Sequence, residues 1–345
     1  MAAIDHPEYL RQLTGIDPVQ DARGAFLEAC HRWDVDFLFG GPPDRVEVFT
    51  GETHKAVDGR TKVTEWGISG SRWIEQTEFK THEDVLTFEP KKHDLYTVYC
   101  SLKAGTTVSQ LLDELGERHH REQEALGDQA LVCGGFGTTL FQWFIAVFGW
   151  NLFLETAALY PERFRDVIAR FVEMSRLYTE AWAQTDIVTF TSHDDLAMTR
   201  GLVFHPDWYR QYIIPWYPHI WEPLKAAGKK IIFVSDGAYS ALVDDLVAAG
   251  ADGFYMESLV NLEMMAQKFP DKILIGNTDP RIITFGTPSD VDEEVARCFR
   301  QAGHLSGYIF HPSGDLPHNI PIVNLEALIA AYRKYAPHNM IRPGL

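Results

Sequence analysis

Four cysteines in 345 residues, Cys30, Cys100, Cys133 and Cys298, are too few and too widely spaced for a disulfide framework. None forms a CxxC pair, so a structural zinc built from cysteine is not expected. Basic charge is also scarce: 31 Lys and Arg stand against 48 Asp and Glu, a net charge of −17. Phosphate backbones and anionic lipid surfaces recruit clustered cations, so no nucleic-acid or membrane partner is expected. Long apolar runs are missing. The best stretch, residues 141–154, is interrupted by Gln142, Gly149 and Asn151 and is too short to span a bilayer. The opening MAAIDHPEYLRQ has neither the basic start nor the apolar centre of a secretory signal, and a cytoplasmic location with reduced thiols is the expectation. No GxGxxG or GxxxxGK[ST] follows an apolar run, and HExxH and GxSxG are absent, which removes the dinucleotide, P-loop, zincin and serine-hydrolase signatures.

What is present is a globular composition, 46% apolar and 23% charged. Residues 5–33 read as two helices, the second started by Asp17-Pro18, and residues 35–39 as a strand. From about 45 to 80 the apolar period falls to two between glycines, the pattern of a small antiparallel insertion. A polar helix is predicted over 107–124. Short apolar runs follow at 130–133, 186–190, 230–234, 253–256, 273–275 and 308–310. They alternate with amphipathic stretches at 161–183, 206–227, 239–249, 259–269, 288–302 and 324–335. Apolar strands alternating with helices mean a parallel sheet covered on both sides. The predicted architecture is one α/β domain over 1–345, a distorted (β/α)₈ barrel, with a doubly wound open sheet as the alternative. Seven strands are legible; residues 96–100 are the weak candidate for an eighth.

The residues after each run carry the functional argument. Thr191-Ser192-His193-Asp194-Asp195, Ser235-Asp236-Gly237, Glu257, Gly276-Asn277-Thr278-Asp279 and His311-Pro312-Ser313-Gly314-Asp315 each follow one. In a parallel barrel such ends open on one face, where catalytic groups collect, so Asp194, Asp236, Glu257, Asp279 and Asp315 are expected to share a cavity. Singly, Asp194 or Asp195, Asp236 and Asp315 are as good caps of the next helix as catalysts, and His193 and His311 taken alone are better read as core residues than as ligands. Glu257, a poorer cap on an apolar approach, is the strongest candidate acid. The glycine-rich turn at 134–137 with Phe136, Trp143 and Trp150 reads either as a core helix or as the wall of an apolar pocket.

Between His193 and Tyr335 the order and spacing of Asp194-Asp195-Leu196-Ala197, His205-Pro206-Asp207-Trp208-Tyr209, Val234-Ser235-Asp236-Gly237, Gly250-Ala251-Asp252-Gly253, Gly276-Asn277-Thr278-Asp279 and Gly314-Asp315-Leu316-Pro317 resemble the uroporphyrinogen decarboxylase and cobalamin-methyltransferase superfamily. The resemblance implies a (β/α)₈ barrel with its site at the C-terminal rim. Authentic decarboxylases carry an N-terminal Arg-Gln-Ala-Gly-Arg that grips substrate carboxylates. Here Arg11-Gln12-Leu13-Thr14-Gly15 lacks the second arginine. The thiol-activating methyltransferases hold zinc with His-x-Cys and a later Cys, where this chain has Val234, Asp236 and Gly314. No Asp-x-His-x-x-Gly corrinoid motif is present.

The resemblance therefore points to the substrate-to-corrinoid branch: a methyltransferase moving methyl between a small, methoxylated aromatic donor and cobalamin carried by a separate protein. The roles assigned are catalytic for Glu257, Asp236, His193 and Asp194. Phe136, Trp143, Trp150, Asn277, Asp279, His311 and Asp315 are assigned to substrate binding. Asp236 and Glu257 are candidate ligands of a divalent ion such as zinc. A corrinoid protein and a second copy of the chain are the expected partners. A decarboxylase or lyase acting on a carboxylated substrate, and a catalytically silent binding protein, are the alternatives.

Overall fold

The computed structural model describes residues 4–44, 55–57, 62–66, 71–76, 78–97, 100–314, 316–317 and 319–336. Besides a short parallel pair of Ile4–Asp5 with Leu316–Pro317, the parallel strands are β1 (Phe37–Leu38), β2 (Leu131–Val132), β3 (Gly134–Thr138), β4 (Thr189–His193), β5 (Lys230–Val234), β6 (Gly253–Tyr255), β7 (Ile273–Asn277) and β8 (Tyr308–His311). The helices are α1 (Pro7–Thr14), α2 (Ala22–Arg32), α3 (His82–Leu86), α4 (Val108–Leu126), α5 (Phe141–Phe148), α6 (Trp150–Leu159) and α7 (Pro161–Ala183). They continue with α8 (Pro206–Tyr212), α9 (Tyr217–Ala226), α10 (Val243–Ala249), α11 (Leu262–Lys268), α12 (Pro280–Phe285), α13 (Pro288–Ala302) and α14 (Ile322–Tyr335). No helix among the described residues is long and apolar enough to cross a membrane.

The chain divides into two compact units, Met1–Thr50 with His119–Cys133 and Gly253–Leu345, and Gly51–Arg118 with Gly134–Asp252. In the first unit β1 pairs with β2, and β7 lies between β6 and β8 with Tyr255 beside Ile275 and Asn277 beside His311. Phe26, Cys30, Leu38, Leu126, Ala130 and Val132 form one of its cores. Helix α13 shows why this sequence coils where it does. Thr287 and Asp290 close a capping box, Pro288 takes the first turn, and Val291, Val295, Cys298, Phe299 and Ala302 bury one stripe at three- and four-residue spacing.

In the second unit β4 lies between β3 and β5. Its core is aromatic. Phe144 meets Phe153, Phe164 and Phe171 with ring centroids 5.4, 5.1 and 5.2 Å apart, and Phe141 meets Phe153 edge-on at 5.2 Å. All five rings are fully buried, which stabilises the fold by about 1.5–3 kcal/mol each. The stretch at 55–76 is an antiparallel sheet of Lys55–Val57, Lys62–Trp66 and Ser71–Gln76, as its period of two predicts.

Three expectations are corrected. The weak eighth-strand candidate does not join the parallel strands at its start: Leu95–Tyr96 pairs antiparallel with Ser101–Leu102. Instead the glycine-rich segment read as a turn is β3, parallel to β4. Helix α2 starts at Ala22, where Asp21 Oδ1 accepts from the Gly24 N–H; Asp17 instead accepts from Arg11 and from the Val19 N–H.

Gly135 shows why β3 is written in glycine. Its φ is +83°, and a Cβ there would sit 2.4 Å from the Thr191 carbonyl oxygen in β4. Gly135→Ala is expected to cost about 2–5 kcal/mol, the left-handed backbone and the backbone clash acting together. Gly228→Ala, with φ +75° and nothing within 4 Å, carries only the first of these, about 1–2 kcal/mol. Denaturant midpoints of the two variants separate the contributions; equal losses would show that β3 does not need the close approach.

Candidate active site

The second unit gathers His193, Asp194, Asp195 and Asp236. Strand β4 runs through Thr191, Ser192 and His193 before it ends, further than its hydropathy indicates, because the side chains of these three residues are hydrogen-bonded. Thr191 Oγ1 donates to the Gly134 carbonyl, and Ser192 Oγ accepts from Trp221 Nε1 and pairs with Thr139 Oγ1. His193 closes the strand, 2% exposed, with Nε2 3.1 Å from Asp195 Oδ1. The same Oδ1 accepts from the Asp236 N–H at 2.8 Å, and Asp195 Oδ2 accepts from Gln142 Nε2.

The electrostatics follow from these contacts. Burial works against charge on His193, but the adjacent Asp195 carboxylate, helped by Asp236 and Asp194, raises its pKa above the ordinary imidazole value. Burial also opposes the Asp195 anion; His193 and the Asp236 and Gln142 donors outweigh it and lower that pKa. Both directions describe an imidazolium facing a carboxylate. The Asp195 side chain stays 25% exposed, so the buried pair reaches the surface through Asp195. Asp236 itself is exposed.

Asp194 is placed differently. It is fully buried, with Oδ2 accepting from the Leu140 and Phe141 N–H groups and from the Tyr217 hydroxyl, and Oδ1 from the Gln142 N–H. Leu140, at the start of α5, has no side chain to satisfy those amides, so Asp194 caps the helix from β4. Every donor it meets belongs to the scaffold. Capping was foreseen for this residue, but of the following helix rather than a preceding one.

In the first unit Asn277 is only 1% exposed and spends its amide on the Glu257 and Val260 carbonyls. Asp279 caps α12 and holds Arg281 through both oxygens. These contacts serve the scaffold. His311, 3% exposed, lies edge-on to Phe39 and Tyr255 at centroid distances of 5.7 and 5.0 Å. Glu257 is half-buried, although Met256 before it is fully buried, so the apolar approach does not carry over to its side chain. Trp143 is fully buried on α5, the core reading; Trp150 is half-buried at the start of α6. Phe136 is the extra residue of a bulge between β3 and β4. Asp315 lies outside the described residues. Asp195 and Gln142 entered no role from sequence. Gln142 had a signal: it is the lone side chain in α5 able to make several hydrogen bonds, among Phe141, Trp143, Phe144 and Phe148.

Among the described residues no group of three or more His, Cys, Asp or Glu side chains could hold a metal ion. Arg11, the one arginine of the decarboxylase-like N-terminal motif, is half exposed and paired with Asp17 at 2.9 Å.

The profile of the family described as Uroporphyrinogen decarboxylase (URO-D) matches residues 112–335. A uroporphyrinogen decarboxylase of Carboxydothermus hydrogenoformans is 24% identical over 170 residues, 49% of this chain and 47% of that protein. One of Geotalea uraniireducens is 23% identical over 164 residues, 48% of this chain and 47% of that protein. The chain thus spans about half the length of the curated relatives it matches. A solved methyltransferase from Methanosarcina mazei superposes with a TM-score of 0.61 at 13% identity, covering 97% of this chain and 92% of that one. The fold is a (β/α)₈ barrel with N-terminal helices and a small β insertion. On the strength of the profile match, the chain belongs to the uroporphyrinogen decarboxylase family.

Proposed function

We propose that the protein is a methyltransferase that takes methyl from the oxygen of a small methoxylated aromatic donor and passes it to cobalamin supplied by a separate protein. The buried His193–Asp195 ion pair, opening to solvent through Asp195, carries this reading. An oxygen that loses its methyl group must gain a proton, because an alkoxide or phenoxide is a poor leaving group unless neutralised. The pair shares one proton between His193 Nε2 and Asp195 Oδ1, and the raised proton affinity of His193 favours the imidazolium. In the transfer that proton passes from His193 Nε2 to Asp195 and on to the departing donor oxygen, leaving a neutral imidazole and a carboxylate that take a fresh proton from solvent. Reduced cobalamin, when bound, supplies the nucleophile that accepts the methyl group.

The charge around the pair favours this over decarboxylation of a polycarboxylate. Asp194, Asp195 and Asp236 act on His193 together, and a substrate bearing several carboxylates would meet them with one imidazolium to offset the repulsion. The test is an absorbance assay of methylcobalamin formation from reduced cobalamin and a panel of methoxylated benzenes. Transfer from at least one of them is expected. No transfer from the panel, together with carbon dioxide release from a polycarboxylated tetrapyrrole, would overturn the reading and restore the decarboxylase.

A further inference from the structure

Asp195 is gripped from three elements. His193 Nε2 and the Asp236 N–H both reach Oδ1, while Gln142 Nε2, from α5, reaches Oδ2 at 2.5 Å. A carboxylate only accepts hydrogen bonds, so the amide must turn its nitrogen to Asp195 and its oxygen away. That oxygen, Oε1, is buried and has no hydrogen-bond partner among the described residues. An acceptor left unpaired in the interior is destabilising, and a leucine or methionine would fill the same volume without one. The backbone N–H of Gln142 meanwhile donates to Asp194 Oδ1 at 2.9 Å. One residue of α5 therefore registers both carboxylates against the end of β4.

We propose that Gln142 is a positioning residue: its Nε2 pins Asp195 Oδ2 so that Oδ1 stays aimed at His193 Nε2. Among the described residues Asp195, Asp236 and Asp194 act on the charge of His193, and the Gln142 side chain holds Asp195. Removing that donor concentrates the Asp195 charge on the His193 side. The catalytic consequence rests on the reading of His193–Asp195 as the proton-carrying pair; the positioning itself does not.

The experiment is a pH titration of the His193 ring by NMR in the full chain, with melting temperature and methyl-transfer kinetics alongside. In Gln142→Leu the proton affinity of His193 is expected to rise roughly three- to tenfold, where tenfold is one pKa unit. The melting temperature should change little, because the orphaned Oε1 leaves together with Nε2. Turnover should fall in kcat, with KM for the methyl donor held within roughly twofold, as for an interaction that acts on the chemical step. In Gln142→Glu the new carboxyl can donate to Asp195 only while protonated, so the two carboxyls share a proton and the His193 titration gains a second step. An unshifted titration in Gln142→Leu overturns the proposal, as does a single-step titration in Gln142→Glu, which decides the matter if the leucine variant does not fold. Shifted titrations in a protein that transfers no methyl would retire the proposed function and leave the role of Gln142 standing.

Discussion

Asp195→Asn is expected to lower methyl transfer by about 10²–10⁴-fold while leaving the chain folded, the range typical of a lost general acid–base group. The substitution keeps the shape of the side chain and its contacts with the Asp236 N–H, but it removes the charge that holds a proton on His193. Burial is the largest influence on that imidazole, and it favours the neutral ring. With Asp195 neutral, burial prevails and the His193 pKa drops below its ordinary value. The sign of the accompanying pH effect follows. In the wild type the proton is retained as pH rises past the ordinary imidazole range; in the variant it is lost earlier, so residual activity should survive only toward acid pH. Stability should suffer at low pH, where an imidazolium would be buried without its partner, and recover as the ring discharges. The checks are rate against pH and melting temperature against pH. An asparagine variant with wild-type rates across the range would remove the pair from the chemistry.

The parts of the fold that could be read from sequence are those in which burial follows hydropathy. Residues 161–183 and 288–302 coil over the limits their apolar stripes predict, and β5 occupies 230–234 as its apolar run indicates. Sequence reasoning failed where a polar or small residue is buried for what it touches. Strand β3 is Gly-Gly-Phe-Gly-Thr, with only Phe136 and Thr138 of the types that favour strands, because β4 approaches so closely that Gly135 has no room for a Cβ. Strand β4 was placed three residues early because Thr191, Ser192 and His193 look like a loop until Gly134, Thr139, Trp221 and Asp195 supply their hydrogen bonds.

The same limit governed the site. Asp194 and Asp195 are adjacent and chemically identical in sequence, so nothing local separates a helix cap from half of an ion pair. Their neighbours do: four scaffold donors enclose Asp194, while Asp195 keeps an exposed edge and a histidine. Those neighbours lie some twenty to fifty positions away in α5 and α9 or are brought in by β4 itself, beyond the reach of spacing arguments.

Asp194→Asn is expected to be a stability variant, and its dependence on pH should show how the carboxyl is held. An amide in that position offers one acceptor oxygen where the carboxyl offers two. Oδ2 receives the Leu140, Phe141 and Tyr217 donors, and Oδ1 the Gln142 N–H. Whichever way the amide turns, its NH₂ faces a buried N–H, and each donor so orphaned costs about 1–3 kcal/mol. Helix α5 loses its cap at the same time, about 1 kcal/mol more. Against this runs the cost of burying the charge. Desolvation outweighs the four donors and lifts the Asp194 pKa to about 6. The folded chain thus holds this proton more tightly than the unfolded chain, whose carboxyl titrates near the ordinary value. The group's stabilising contribution is fully present below that value and is lost as pH rises through about 6, a change of about 3 kcal/mol. Asparagine has no proton to lose. The stability gap between wild type and variant should therefore be widest near pH 4 and narrow steadily toward pH 7. Denaturant unfolding at several pH values measures it directly, and taking the difference cancels the other titrating groups. A gap that widened with pH would mean that the amides of α5 and the Tyr217 hydroxyl hold Asp194 as an anion, reversing the balance between burial and hydrogen bonding argued for this residue.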